Sequence, residues 1–570
     1  MSALPPPYGG VLRELLVTPE VAAELKAQSR DWPSWDLDAR QLCDLELLAT
    51  GACSPLSGFL GRKDYDSVVE RMRLADGTLW PVPVVLDVGE AFARGLERGV
   101  PLVLRDPEGV PLAVMSVEDV WTPDREREAR ALYGSTDSRH PGAHRLLGHT
   151  RPVYVGGALR VLALPTHYDF LHLRRGPREM REVFHRQGWR RIVAFQNGNP
   201  LRAAHLALTR HACRLSQANL LLHPAVGMSE PGDAEHYTRV RLYERALAHH
   251  PEGAAELALL PLATRWAGPR EALWHAIVRR NFGCTHFVVT PDHAEPPAGD
   301  GAPAWHEREA AQQLALAHRE ELGIDILALD EMVYVEDLAQ YRPAGEVAGS
   351  ARVLTLPASE FRRRLAEGLD IPEWHSPPDL VAEVRRTHPA RSRQGVTVFF
   401  TGLSGAGKST IANALLARLM EIGGRSVTLL DGDIVRRNLS SELGFSKEHR
   451  DLNIRRIGFV AAEITKHGGI AICAPIAPYA ATRAAVRGMI QAVGGFYEVH
   501  VSTPIEVCES RDRKGLYAKA RAGLIKEFTG VSDPYEAPQE PEIVIDTRDC
   551  SALEAAQLVL NRLEADGYIR

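Results

Sequence analysis

The sequence has few cysteines and no long apolar run, and both absences narrow the class of protein. The seven cysteines among the 570 residues are scattered, and no pair has the spacing of a zinc knuckle. A dispersed, odd-numbered set is typical of reduced thiols in the cytosol. No uninterrupted apolar stretch is long enough to span a bilayer, and the first residues lack the features of a secretory signal. We therefore expect a soluble, cytoplasmic protein with no membrane partner.

The chain also lacks an excess of positive charge. Its formal net charge is −6 at pH 7, which argues against a nucleic-acid-binding surface spread over the whole molecule. A net charge of this size is still compatible with local basic pockets that bind small anions. A hydrophobic content of 45% and a charged content of 25% are ordinary for a globular protein. The length exceeds what one hydrophobic core supports and predicts roughly three or four domains.

Residues 1–165 are predicted to form a small strand-rich module. Short β-type runs occur at Trp80–Val88, Leu102–Leu104 and Val153–Val155, separated by turns and short helices.

Residues 166–330 show a different pattern, in which apolar strands alternate with helical stretches. Arg191–Phe195 and Thr285–Thr290 are strand candidates, whereas Arg270–Asn281 and Ala310–Glu321 are predicted to be helical. This alternation favours a parallel α/β sheet.

Residues 331–390 are predicted to hold a small domain and a linker. The segment His375–Gln394 is polar and rich in proline, and it is the best linker candidate in the chain. The apolar run Val396–Phe400 then feeds a glycine-rich loop, so a new domain is predicted over 391–570.

That glycine-rich loop has the pattern of a P-loop. Its glycines let backbone N–H groups surround phosphate oxygens, Lys408 reaches the β- and γ-phosphates, and Ser409 can ligate Mg²⁺. The following helix directs its positive N-terminal end at the same phosphates. The predicted ATP-binding residues of this segment are Gly402, Ser404, Gly405, Ala406, Gly407, Lys408, Ser409 and Thr410.

Two carboxylates, Asp431 and Asp433, follow a short apolar strand about thirty residues after the loop. Carboxylates in this position can organise Mg²⁺ and accept the proton of an attacking hydroxyl. An Asp-Gly surface turn would be the default interpretation if no apolar strand preceded them.

A cluster of arginines comes next, at positions 436, 437, 450, 455 and 456, around Phe445 and Asn453. Arginine suits bidentate binding of sulfate and phosphate, and Phe445 can stack on a purine. A solvated, charged helix face is the alternative for any single arginine here.

Four strings resemble adenylylsulfate (APS) kinase, which uses ATP to phosphorylate APS at its 3′-hydroxyl and make PAPS. They are GLSGAGKST, LLDGD, LGFS…R…NIRRIG and CESRDRKGLYAKARAGLIKEFTGVSDPYEAP, and the similarity runs from about residue 391 to 570. The resemblance implies ATP and Mg²⁺ as cofactors, with Mg²⁺ at Ser409 and Asp433. It also implies Asp433 and Lys408 as the catalytic residues.

The same resemblance implies an acceptor site and a mobile lid. The implied acceptor-site residues are Asp431, Arg436, Phe445, Arg450, Asn453, Lys526 and Phe528. The lid is implied at Arg511–Arg521, with Arg511 and Arg513 closing over the phosphates and excluding water. Two positions depart from the family: Ile434 replaces an asparagine, and Ala477 replaces a serine. Ala477 cannot carry a phosphoryl group, so direct in-line transfer is expected.

The first 390 residues resemble ATP sulfurylase, which makes APS from ATP and sulfate. The strings CDLELLATGACSPLSGFLGRKDY, LLHPAVG, RWAGPREALWHAIVRRNFGCTHFVV and DHA carry this resemblance, together with YGSTDSRH at 133–140. The implied fold class is a multidomain α/β protein. Its parts are a PUA-like N-terminal module, an α/β nucleotidylyltransferase domain, a small third domain and the P-loop kinase with its parallel sheet.

The sulfurylase active-site string departs from the family pattern Gln-Thr-Arg-Asn-Pro-x-His-x-x-His. This chain retains Gln196, Asn199 and His205, but has Gly198 for the arginine and Arg202 for the first histidine. The arginine would hold sulfate, and the two histidines would neutralise charge on the α-phosphate. Arg202 lies on the same loop as Gly198 and offers an alternative cation.

Two further loops of this region differ from the family. The string Gly-Arg-Asp-His-Ala-Gly retains His293 but has Pro291 for its arginine, and Glu230 replaces a lysine of the Gly-x-Thr-Lys loop. Losing one preorganised cationic donor costs a factor of ~10²–10³ in rate. Sulfate is a weakly nucleophilic dianion, so we expect sulfurylase activity to be absent or vestigial.

Three hypotheses follow for the whole chain. The first is an APS kinase whose sulfurylase-like region serves structure, oligomerisation or regulation. The second is a bifunctional enzyme that makes PAPS from sulfate and ATP. The third, a nucleotide sensor without catalysis, would require a damaged kinase site. The resemblances also imply a homo-oligomer, with a hexamer among the assemblies, and small-molecule rather than nucleic-acid partners. Use of PAPS in sulfate assimilation or as a sulfate donor stays open.

Overall fold

The computed structural model describes residues 4–197, 201–228, 234–296, 304–444, 446–512 and 515–569, without the side chains of residues 234 and 433. The chain divides into two compact units, which are described separately. The first comprises Met1–Pro357 and Ile371–Thr387, and the second comprises Ala358–Asp370 and His388–Arg570. Within the described ranges, no helix combines the length and apolarity needed to cross a bilayer.

The first unit begins with a six-stranded sheet in which β4, β5 and β6 form the centre. Its strands are β1 Ser34–Asp36, β2 Gly58–Phe59, β3 Leu86–Val88, β4 Pro101–Arg105, β5 Pro111–Trp121 and β6 Val153–Val161. Its helices are α1 Pro19–Gln28, α2 Ala39–Ala49, α3 Arg62–Arg71, α4 Glu90–Ala93, α5 Arg125–Tyr133 and α6 Pro141–Gly148. Only β1 pairs parallel to its neighbour, so the predicted strand-rich module is an essentially antiparallel sheet.

The predicted strand at Trp80–Val88 is wrong over most of its length, because only Leu86–Val88 pairs as a strand. Trp80, Val82 and Val84 are fully buried but lie outside any sheet. The intervening residues at 81 and 83 are prolines, which have no N–H to donate to a ladder.

A parallel sheet of five strands follows, in the order β11-β10-β7-β8-β9. Its strands are β7 Ile192–Phe195, β8 Asn219–Leu222, β9 Ala255–Leu257, β10 His286–Val289 and β11 Asp325–Ala328. The helices are α7 Pro177–Arg186, α8 Ala203–Ser216, α9 Ala234–Leu247, α10 Gly268–Asn281, α11 Ala310–Ala317 and α12 Arg319–Leu322. The predicted parallel α/β pattern is confirmed, and the predicted helix at Ala310–Glu321 is two helices that meet at His318.

The segment after this sheet contains more structure than its polar composition indicates. A small antiparallel sheet has the order β13-β12-β14, with β12 Met332–Val335, β13 Gln340–Pro343 and β14 Val353–Leu354. Helix α13 Ala358–Glu367 belongs to the second unit, and α14 Pro378–Thr387 packs on α9 in the first. The predicted linker thus contains a helix. Its buried residues Leu380, Val381 and Val384 share one helical face. The average hydrophobicity of the segment does not reveal this face, because polar residues occupy the rest of the helix.

The second unit is a five-stranded parallel sheet in the order β16-β17-β15-β18-β19. The strands are β15 Val396–Thr401, β16 Val427–Leu430, β17 Ile470–Cys473, β18 Gly495–Val501 and β19 Ile543–Ile545. The helices are α15 Lys408–Ile422, α16 Gly432–Asn438, α17 Lys447–Lys466, α18 Ala480–Gln491, α19 Ile505–Arg511, α20 Leu516–Arg521 and α21 Ala552–Ala565.

The central strand β15 positions the glycine-rich loop. All six of its residues are buried. Val398 and Phe400 pack into the core that contains α15 and α21, whereas Phe399 packs into the core that contains α17 and α18. This alternation follows from the two-residue period of a strand. Both faces of the sheet are therefore covered, and the loop emerges at the carboxyl edge, where ligands bind in sheets of this kind.

Candidate functional site

The loop between β15 and α15 requires glycine at several positions. Gly405 and Gly407 have φ angles of +77° and +110°, which side chains rarely adopt. A Cβ atom on Gly405 would lie 3.0 Å from the carbonyl oxygen of Cys508. The loop can therefore turn tightly against α19 only because these positions lack side chains.

Carbonyl oxygens of this loop accept hydrogen bonds from lysine and threonine side chains. The Lys408 ammonium, in a residue only 7% exposed, donates to the carbonyl oxygens of Gly402 at 3.0 Å and Leu403 at 2.8 Å. The hydroxyls of Thr503 and Thr547 each donate to the carbonyl oxygen of Ala406 at 3.1 Å. Because a trans peptide directs its N–H away from its C=O, this arrangement leaves N–H groups for an anion.

A hydroxyl and a carboxylate meet beside the loop. The Ser409 hydroxyl, in the first turn of α15, donates to Asp431 Oδ2 at 2.9 Å, at the end of β16. Hydroxyl and carboxylate oxygens are ligands that Mg²⁺ prefers, so the residues present fit this ion. Thr410 is exposed in the same turn of α15. Asp433 lies in the first turn of α16, and its side chain is outside the described part of the structure.

Arg450 is the centre of a separate hydrogen-bonded network in the same unit. Its guanidinium donates to the hydroxyls of Thr529 and Tyr479, both at 2.8 Å, and contacts Asp533 Oδ2 at 2.9 Å. The Tyr479 hydroxyl donates to the same carboxylate at 2.7 Å. Burial, followed by the hydrogen bond to Asp533, raises the pKa of Tyr479, so its hydroxyl stays protonated. Two other segments, one with Tyr479 and one with Thr529 and Asp533, thus fix the orientation of one guanidinium.

The remaining acceptor-site residues differ in their surroundings. Arg436 donates to the backbone carbonyl oxygen of Gly444 at 3.1 Å. Asn453 is buried, and its Oδ1 has no hydrogen-bond donor among the described residues. Lys526 is exposed, whereas Phe528 is half-buried. The predicted residues Phe445 and Arg513 lie outside the described residues.

On the nucleotide side, Arg511 ends helix α19 and is held by Thr547. Its guanidinium donates to the Thr547 hydroxyl at 2.7 Å and to the Thr547 carbonyl oxygen at 3.2 Å. Sequence reasoning did not single out Thr547, because no motif surrounds it. Tyr479, Thr529 and Asp533 were also missed, although the last two lie inside the longest family-like string.

In the first unit, the sulfurylase-like residues form a buried cluster. The Gln196 amide nitrogen lies 2.8 Å from His275 Nδ1, and its oxygen accepts a hydrogen bond from Arg279. His293 Nε2 lies 3.0 Å from the same His275 nitrogen. Burial, His275 and Arg279 lower the pKa of His293 well below its ordinary value. Gln196 is therefore tied to interior groups, and His293 is neutral at physiological pH.

Arg202 and His205 flank the N-terminus of α8. The Arg202 backbone N–H donates to His205 Nδ1 at 3.0 Å, and His205 Nε2 lies 3.1 Å from the Asn197 amide nitrogen. Burial, the Arg202 charge and His375 lower the pKa of His205 to about 3. His205 is thus neutral at physiological pH. The predicted residues Gly198, Asn199 and Glu230 lie outside the described residues.

Taken along the chain, these features define a P-loop kinase fold joined to a nucleotidylyltransferase-type α/β fold. Family models match each part: a PUA-like domain over residues 5–164, ATP-sulfurylase over 172–387 and adenylylsulphate kinase over 394–546. These matches confirm the predicted fold class.

Relatives and a solved structure cover the whole length. The sulfate adenylyltransferases of Mycosarcoma maydis and Gibberella zeae are each 46% identical to this chain, with 99% of both chains covered. The solved structure "Hexameric APS kinase from Thiobacillus denitrificans" is 43% identical, has a TM-score of 0.81 and covers 100% of both chains. The chain therefore belongs to the sulfate adenylyltransferase family and contains an adenylylsulfate kinase domain.

Proposed function

We propose that the chain is an APS kinase that converts ATP and APS into ADP and PAPS, and that its sulfurylase-like region does not catalyse adenylyl transfer. The observation that carries the kinase half is the loop geometry: the Lys408 ammonium is held against the carbonyl oxygens of the glycine loop, and the hydroxyl of the adjacent Ser409 is bonded to the Asp431 carboxylate. The full-length resemblance to a structure described as an APS kinase supports the same assignment.

In this proposal, the Lys408 ammonium exchanges its two carbonyl acceptors for phosphate oxygens when ATP binds. The 3′-oxygen of APS attacks the γ-phosphorus, a new P–O bond forms, and the bond to the β-phosphate oxygen breaks to release ADP. We assign the hydroxyl proton to the Asp433 carboxylate. Ser409 and Asp431 would hold Mg²⁺, which supplies charge neutralisation at the β- and γ-phosphates when bound.

The acceptor half of the proposal depends on Arg450. Its guanidinium is oriented by Thr529, Tyr479 and Asp533, which preorganises the cationic group that would bind the phosphosulfate, while the Asp533 carboxylate balances its charge in the unliganded protein. A preorganised charge of this kind costs no reorganisation at the moment of reaction. Phe528 would contact the adenine of APS.

For the sulfurylase-like region, we propose loss of catalysis because its histidines carry no charge. His205 and His293 are neutral at physiological pH, and the Gln196 amide is hydrogen-bonded to interior groups. Attack of a sulfate dianion on ATP brings like charges together and requires preorganised cations. Arg202 is the residue that would have to supply them.

The alternative is a bifunctional enzyme that makes PAPS from sulfate and ATP. The name of the full-length relatives, sulfate adenylyltransferase, favours it. We also propose a homo-oligomer, because the full-length structural neighbour is described as hexameric. A cytoplasmic location stays a prediction.

The test separates the two activities in one protein. Wild-type protein would be incubated with Mg-ATP and APS, and separately with Mg-ATP, sulfate and pyrophosphatase, while APS and PAPS are resolved by anion-exchange chromatography. We expect PAPS only from APS. The Lys408→Ala variant removes the kinase step, so any APS made from sulfate would accumulate. APS in that variant would establish the bifunctional alternative, and its loss on Arg202→Ala would identify the compensating cation. No PAPS from APS with the wild type would refute the kinase proposal.

A further inference from the structure

Tyr517 links three parts of the second unit. It lies in α20, within the predicted lid, and is only 3% exposed. Its hydroxyl donates to the carbonyl oxygen of Ser404 at 2.9 Å. Its ring packs edge-to-face on Phe528, with centroids 5.1 Å apart and planes at 77°. One side chain therefore contacts the glycine loop and the aromatic residue expected at the acceptor base.

The hydrogen bond to Ser404 has a direct consequence for phosphate binding. The Ser404 carbonyl shares its peptide plane with the N–H of Gly405, and a trans peptide points these two groups in opposite directions. Gly405 has a φ of +77° and no side chain, so its backbone has access to more conformations than that of other residues. An external donor on the Ser404 oxygen therefore fixes the direction of a loop N–H.

The position of the Tyr517 hydroxyl depends in turn on the lid. The Asp512 carboxylate, just after α19, accepts the backbone N–H groups of Leu516, Tyr517 and Ala518 at 2.8, 3.1 and 3.0 Å. These bonds attach the start of α20 to the end of α19. A displacement of α20 would carry the Tyr517 hydroxyl away from Ser404 and its ring away from Phe528 together.

We propose that Tyr517 is a positioning residue that couples the lid to both substrates, by orienting the loop peptide between Ser404 and Gly405 and by supporting the ring of Phe528. The acceptor part of this inference rests on the proposed APS kinase function, whereas the ATP part does not. Coupling of this kind is reciprocal, so ATP raises acceptor affinity by the same factor as the acceptor raises ATP affinity.

Two substitutions separate the roles of the hydroxyl and the ring. Tyr517→Phe removes the hydrogen bond and keeps the edge-to-face contact, whereas Tyr517→Leu removes both. Tyr497→Phe is the matched control, because it removes a buried tyrosine hydroxyl bonded to Asp566 Oδ2 at 2.6 Å, outside the loop and the lid. Binding of a non-hydrolysable ATP analogue and of APS would be measured by calorimetry, each alone and in the presence of the other.

For Tyr517→Phe we expect ATP-analogue affinity to fall about three- to tenfold, the factor that loss of one neutral hydrogen bond produces. APS affinity without nucleotide stays within about twofold, while Tyr517→Leu weakens both ligands and abolishes their mutual enhancement. Tyr497→Phe changes neither affinity. The inference would be overturned if Tyr517→Phe bound the ATP analogue as tightly as the wild type. It would also be overturned if ATP analogue and APS still enhanced each other's binding in Tyr517→Leu. Equal affinity losses in Tyr497→Phe would mean a general effect on folding and would also overturn it. Because ATP binding needs no turnover, a wild type that binds ATP but makes no PAPS would refute only the proposed function.

Discussion

We expect Glu128→Gln to stabilise the N-terminal sheet strongly at alkaline pH and much less at acidic pH. Glu128 lies in α5, where its buried Oε2 accepts the hydroxyls of Tyr65 at 2.9 Å and Tyr154 at 3.0 Å. Burial raises the pKa of this carboxyl from 4.5 to about 7, and the two tyrosine hydrogen bonds offset only part of that effect. Glutamine keeps an oxygen acceptor for both hydroxyls and carries no charge.

The magnitude follows from the two pKa values. The folded-state pKa of Glu128 lies above its unfolded value, so its stabilising contribution is fully present below pH 4.5 and is lost as the pH rises through about 7. Each pKa unit corresponds to ~1.36 kcal/mol, so relative to a permanently neutral side chain the glutamate lowers the free energy of unfolding by ~3 kcal/mol at pH 8, where it is ionised in both states, and by ~1 kcal/mol at pH 5, where only the unfolded state is ionised. The Glu128→Gln variant avoids this cost, and its gain in free energy of unfolding should follow the same pH dependence.

Amide hydrogen exchange of peptides from β5 and β6 measures the gain in local stability of the sheet, after correction for intrinsic exchange rates. We expect protection in Glu128→Gln to rise at pH 8 by on the order of 100-fold and at pH 5 by about fivefold. Glu126→Gln is the control on the same helix, since that exposed side chain pairs only with Arg130 at 2.7 Å among the described residues. A variant less protected than wild type at pH 8, or equally affected at both pH values, would refute the reasoning.

Three further predictions concern the kinase unit. Lys408→Ala should lower PAPS formation from APS by a factor of ~10² or more with an unchanged circular-dichroism spectrum, and retained turnover would contradict its role. Asp533→Asn removes the ion pair that orients Arg450, so it should raise KM for APS about tenfold and leave ATP-analogue affinity unchanged. The control is Asp566→Asn, which removes a comparable carboxylate bonded to a tyrosine and an arginine. This control should leave KM for APS unchanged. Gly405→Ala should weaken ATP-analogue binding about tenfold in calorimetry, because its φ is +77° and its Cβ would approach a backbone carbonyl; unchanged affinity would show that the loop adapts.

Much of the candidate site could be predicted from local sequence. The glycine loop, Lys408 and Ser409 are contiguous, and their spacing encodes both the backbone conformation and the chemistry. The strand before the loop and the helix after it could likewise be predicted, because the strand is a short apolar run and the helix is a periodic segment. The parallel sheets followed from the alternation of strands and helices. The sulfurylase-like departures were visible as single substitutions in a known string.

Other features depended on packing between distant segments. Helix α14 is polar on average, but its apolar face is buried and the helix packs on α9. The residues from Trp80 to Val85 are as buried as a strand yet join no sheet, since residues 81 and 83 are prolines without an N–H group.

The sequence by itself thus determined where phosphate chemistry takes place, because a glycine loop, a lysine and a hydroxyl act within one continuous segment. Only the tertiary structure decided which groups orient that chemistry. Arg450, Tyr479 and the pair Thr529 and Asp533 come from three segments, and Tyr517 contacts Ser404, 113 residues away in the sequence. No local pattern encodes such contacts, because they form only when the helices and strands pack against one another.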